Sequence, residues 1–131
     1  MRGVQDEGQA SVEVALVLPL VVLLLLAVVQ VTVVARDQIL VVHAARAGAR
    51  EASVGASPAA VRRAVVASAG PAGLEPGRIA TETGSSGPGD DTVNVRVLYR
   101  SPTDVALIGT LLPDVFLRAN AAMQREPKPD Q

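Results

Sequence analysis

The sequence predicts an α+β fold: a long N-terminal transmembrane helix that continues as an amphipathic helix, then a small antiparallel sheet with short helices. Three observations predict it. Residues 14–35 carry no charge and almost no polar group. Residues 36–52 are rich in Ala and hold no Pro and no Gly before Gly48. Beyond residue 57, short alternating apolar stretches are separated by clusters of Gly, Pro and Ser, the pattern of strands and turns.

The bulk composition bounds what this fold can do. A chain of 131 residues is short enough for one domain at most. Its net charge of -1 gives no footprint for nucleic acid. Aromatic residues make up 2%, one Tyr (Tyr99) and one Phe (Phe116), so any soluble core must be built from Val, Leu, Ile and Ala. There is no Cys, which removes disulfides and thiolate zinc sites, and the single His43 cannot build a metal site alone. No cofactor and no small-molecule substrate are expected.

The first element is the apolar run. Twenty-two residues, 14–35, would rise roughly 33 Å as a helix, enough for a hydrocarbon core of about 30 Å. Only Gln30 and Thr32 interrupt it, both near its end. A buried helix of a soluble protein is the first rival, but so small a chain could not cover a helix that is apolar on every face. A cleaved secretory signal is the second. Ala45-Arg46-Ala47 and Ala47-Gly48-Ala49 fit its cleavage pattern, yet secretory apolar cores run about 7–15 residues behind a basic leader. This core is longer, and Arg2 is set against Asp6 and Glu7. Pro19 lies one turn inside the helix, where a membrane span tolerates it.

Ahead of the run stand Gly8, Gln9, Ala10, Ser11, Val12 and Glu13. A carboxylate at the lip of a membrane helix either marks the helix start among headgroups or carries a function. Gly8, five positions earlier, resembles the processing site of type IV prepilins. That resemblance implies cleavage by a membrane prepilin peptidase after Gly8, with Gln9 as the new N-terminus and Glu13 as the fifth mature residue. Glu13 would then pair with the α-amino group of a neighbouring subunit, a pairing favoured in low dielectric because each charge alone is costly.

The helix is expected to run from about residue 10 to about residue 53. Beyond the membrane, Arg36, His43, Arg46 and Arg50 share one face by helical spacing, and Ile39, Val42 and Ala49 are placed on another. The basic face has two readings, solvation among headgroups and water or contact with a neighbouring subunit. Ala44 with Gly48, and Ala45 with Ala49, form small-xxx-small pairs that admit a close helix.

Taken together, the Gly8 to Glu13 box, the run Leu16, Val17, Leu18, Pro19 and the stretch from Ala44 to Arg50 resemble the TadE-like family. These are pilin-like proteins of tight-adherence (Flp) pilus systems. The resemblance covers residues 8–52 and implies a structural rather than enzymatic role, with other pilin-like subunits, the prepilin peptidase and membrane lipid as partners. It also implies a bacterial cytoplasmic membrane location, N-terminus inside and C-terminal region outside. The flanking charges oppose that orientation, with Arg2 before the span and Arg36, Arg46 and Arg50 after it. The resemblance is preferred because two of those three cations sit well past the membrane edge.

The remaining elements follow in order. Ser57 and Pro58 start a helix over residues 59–69, closed by Gly70 and Pro71. Residues 78–83 alternate weakly, residues 84–91 make a flexible loop, and residues 92–100 form the clearest strand, with Val93, Val95, Val97 and Tyr99 on one face. Ser101, Pro102, Thr103 and Asp104 are expected to cap a helical turn at 105–112. Residues 115–123 alternate again. The expected organisation is a leader at 1–8, the helix at 9–54, an exported α+β region at 55–125 and a disordered tail at 126–131. No catalytic constellation emerges. An unprocessed single-pass envelope anchor that binds another membrane partner is the alternative function.

Overall fold

A computed structural model describes residues 3–71, 73–85, 91–103 and 113–126. The helix α1 spans Gly3–Ser53, 51 residues, and so is about 77 Å long. It starts earlier than the expected residue 10, ends where expected, and continues without a break through Pro19 and Arg36.

The chain divides into two compact units, one of Met1–Val33 with Thr103–Pro113, the other of Val34–Pro102 with Asp114–Gln131. In the first unit the apolar run of α1 is bare: Leu16, Leu20 and Leu24 are each at least 64% exposed. An 18-residue stretch there has a mean hydropathy of 3.0 with no residue buried. A large aliphatic side chain left in water forgoes about 1.5–3 kcal/mol. Summed along the run, that cost makes lipid, not water, the surroundings this segment fits.

The second unit holds the rest of α1, a second helix α2 at Pro58–Ala69, a 3-10 turn at Pro76–Arg78, and three strands, β1 (Ile79–Ser85), β2 (Thr92–Ser101) and β3 (Val115–Gln124). Gly55, at φ +80, turns the chain between the helices, a conformation that a side chain would strain. The Ser57 hydroxyl then accepts from the Ala60 amide, and Pro58 opens α2 at its first turn.

The strands form an antiparallel sheet in the order β1-β2-β3, with register Thr81↔Val97 and Val97↔Ala119. Val93, Val95, Val97 and Tyr99 all face the core, as the alternation predicts. Across from them lie Val41, Ala44, Ala45 and Ala49 of α1 and Val61 and Val65 of α2. Aliphatic side chains thus build the core, with Tyr99 its one ring. α1 supplies part of this core, and the second unit accordingly begins at Val34.

The element edges need correction. β1 is shifted to 79–85 because Gly84 and Ser85 still pair with Asn94 and Val93. Arg78 belongs instead to the 3-10 turn, where it pairs with Glu75. Ser101 is the last residue of β2, and its hydroxyl donates to Asp37. The expected turn at 105–112 lies outside the described residues. Glu126 is tied down, its amide donating to the Ser53 carbonyl at 2.9 Å. The rest of the expected tail, 127–131, is outside the described residues.

Candidate functional site

The sequence-predicted positions all fall on α1, and the structure separates them into an N-terminal box, a buried small-residue face and an exposed basic face. In the box, Gly8, Gln9 and Glu13 are exposed on regular helix. A Cβ added to Gly8 would meet nothing within 4 Å. Glycine inside a helix costs about 1 kcal/mol relative to Ala. No packing reason therefore explains Gly8, and a reason outside the fold is left. Among the described residues no cation pairs with Glu13. Further along, Thr32 satisfies its hydroxyl within the helix by donating to the Val28 carbonyl at 2.9 Å, a bond compatible with lipid. Gln30 is buried, and its amide oxygen and nitrogen have no hydrogen-bond partner among the described residues.

The small-residue face packs inside the chain's own second unit. Ala44, Ala45 and Ala49 are at most 1% exposed. A Cβ on Gly48 would lie 2.6 Å from Val65 Cγ2 and 3.1 Å from Val95 Cγ1. Within the chain, these four residues make their close approach to α2 and β2.

The basic face is opposite. Arg36, His43, Arg46 and Arg50 are exposed, and so is Ile39, at 60%. This corrects the placement of Ile39 with Ala49. From Ile39 to His43 is four residues and to Arg46 seven, which keeps Ile39 among the cations, whereas Ala49 turns inward. Arg36 lies beside Gly73, where a Cβ would come within 3.0 Å of its Nη2.

The sequence reading missed Asp37. It is 4% exposed and its carboxylate accepts from the Ser101 hydroxyl at 2.7 Å. Ser101 is fully buried, so this bond ties α1 to the end of β2 in the interior. The signal was available: Asp37 precedes Val41, Ala44, Ala45 and Gly48 at helical spacing, on the buried face rather than the basic one. Ser101→Ala removes a donor from a buried carboxylate and should cost about 1–3 kcal/mol. Urea unfolding of the detergent-solubilised protein, followed by the fluorescence of its single tyrosine, measures it. A loss under about 0.5 kcal/mol would show that the pair does not hold α1 to the sheet.

On the outer face of the sheet, Arg96 reaches Glu82 at 3.5 Å and donates to Asn120 Oδ1 at 3.2 Å. Arg100 donates to Asp114 at 2.6 Å and lies 5.9 Å from the centroid of the exposed Phe116. Exposed pairs of this kind contribute about 0–1 kcal/mol each, and the arrangement offers charge and surface rather than a reaction centre. Among the described residues no group of three His, Asp or Glu is gathered to hold a metal.

Residues 8–50 match the family model described as TadE-like protein. The match opens on Gly8 and closes on Arg50, so it takes in the box, the apolar run and both faces of α1 up to Arg50. No curated protein and no solved structure matches the chain.

Proposed function

Because residues 8–50 match the TadE-like family model, we propose that the chain is a pilin-like structural component of a tight-adherence (Flp) pilus assembly, held in the bacterial cytoplasmic membrane by α1. The observation that carries this reading is the coincidence of three things on one helix. A family match begins at a glycine the fold does not need, Glu13 follows five residues later, and an apolar run with no buried aliphatic side chain comes next. In this role a prepilin peptidase removes residues 1–8. Gln9 becomes the amino terminus, and Glu13 of one subunit pairs with that amine on the next. The bare apolar run sits in lipid, and the unit built on β1, β2 and β3 stands outside the cytoplasm. The role is one of positioning and contact, with no reaction assigned to any side chain.

Orientation is the point on which the flanking cations disagree, so it is the point to test. Ser85 is exposed at the end of β1, and the chain has no Cys. Ser85→Cys therefore introduces a single thiol. In intact cells whose outer layers admit the reagent, an impermeant maleimide should label it fully. Labelling only after lysis would place this unit in the cytoplasm and end the pilin-like reading in favour of the unprocessed anchor.

A further inference from the structure

The exposed face of α1 beyond the membrane run is unusually one-sided. Ile39, His43, Arg46 and Arg50 are all exposed, at spacings of four, three and four residues. That is the spacing of a seam along which one helix packs against another. The opposite face is already filled by α2 and the sheet, so this seam is what α1 still offers. No acidic side chain pairs with Arg46 or Arg50 among the described residues, and Asp37, the nearest carboxylate to the seam's start, is buried and engaged with Ser101.

From this we infer that the seam docks a parallel helix of a different membrane-anchored protein, one with acidic side chains opposite Arg46 and Arg50. The inference deepens the anchored, pilus-associated reading and rests on it. Two alternatives are disfavoured by charge and length. A second copy of this chain would enter the bilayer through the same apolar run, either in register or offset by the four residues that separate Gln9 from Glu13. Arg46 would then face Arg46 or Arg50 of the copy, a like-charge juxtaposition that opposes pairing in both cases. Lipid headgroups reach only part of the seam. Arg46 and Arg50 follow the last apolar residue, Ala35, by 11 and 15 positions, about 17 and 23 Å along a helix, while a headgroup layer is about 5–7 Å thick. Headgroups account for Arg36 and leave the other two without a counter-charge. Ile39 supplies the apolar contact, and the arginines supply selectivity, since they reject a basic or identical partner and accept an acidic one.

The test uses the full chain as its own surrogate partner. Two versions are co-expressed, each with His43→Cys as its one thiol, and one also with Arg46→Glu and Arg50→Glu. Both substituted arginines are exposed, and unchanged tyrosine fluorescence confirms that the folded unit survives. Membranes are isolated, mild oxidation is applied, and disulfide-linked dimers are scored only among chains extracted from the membrane fraction. A chain that fails to insert thus counts against the anchored reading and not against this one. The expected result is a mixed dimer roughly tenfold over either homodimer, with the excess falling as salt is raised. Homodimers of the wild-type seam equal to the mixed dimer would make a second copy the occupant and overturn the inference. Dimers that form only when anionic lipid is present would assign the seam to the membrane surface and overturn it as well. No dimer of any kind would leave the seam a solvated face.

Discussion

Gly48→Val is expected to lower the stability of the unit built on β1, β2 and β3 by about 2–3 kcal/mol. The space for even one carbon is missing there, since a Cβ would stand 2.6 Å from Val65 Cγ2 and 3.1 Å from Val95 Cγ1. Both valines are fully buried, and a β-branched side chain has few rotamers into which to retreat. α1 would have to move off α2 and β2 together, opening contacts that Ala44, Ala45 and Ala49 make at the same level. Gly48→Ala is the graded control. It gains about 1 kcal/mol of helix propensity against a smaller squeeze, so its loss should be well below that of the valine. Tyr99, 3% exposed and the only tyrosine, reports the transition in urea. The midpoint should fall with the slope unchanged. A wild-type midpoint for Gly48→Val would show that α1 does not pack closely here, and would return the small-residue face to a neighbouring subunit.

Gly8→Val is expected to have the opposite profile, no loss of stability and a complete loss of processing. Nothing lies within 4 Å of a Cβ at this position, so the fold tolerates the side chain, and replacing a helical glycine slightly favours the helix. The processing enzyme does not share that tolerance. It must bring its reacting groups onto the backbone beside residue 8, and glycine is the residue that admits such an approach. Cells should therefore accumulate full-length, membrane-inserted protein. Processing at the wild-type level in this variant would remove Gly8 from the role given to it here.

The apolar run and β2 are legible because their signals are local. A stretch of 22 uncharged residues has few settings other than lipid, and the alternation of Val93, Val95, Val97 and Tyr99 fixes one face of a strand whatever packs on it. The end of α1 at Ser53 is legible for the same reason, since Gly55 and the Ser57-Pro58 start follow at once. What was not legible depends on partners distant in sequence. Ala44, Ala45, Gly48 and Ala49 announce a close approach but not to what, and α2 and β2 are the answer. Asp37 looks like one more charge at a membrane edge until Ser101, 64 positions later, is seen beside it. Ile39 stands four residues from His43 and seven from Arg46, so its helical angle places it among the cations and not with Ala49. In the candidate site, Gly8 and Glu13 were legible as a spacing, while the structure added that neither has a packing role that would explain it.

The central claim, that this is a pilin-like subunit matured for assembly, turns most directly on the N-terminus of the wild-type chain. Intact mass of the membrane-extracted protein, taken from cells with an active prepilin peptidase, measures it. The account predicts a single species that has lost residues 1–8 and begins at Gln9, and a full-length species in cells that lack the peptidase. A full-length chain in both would contradict it, and would leave a single-pass anchor whose Gly8 and Glu13 serve some other end.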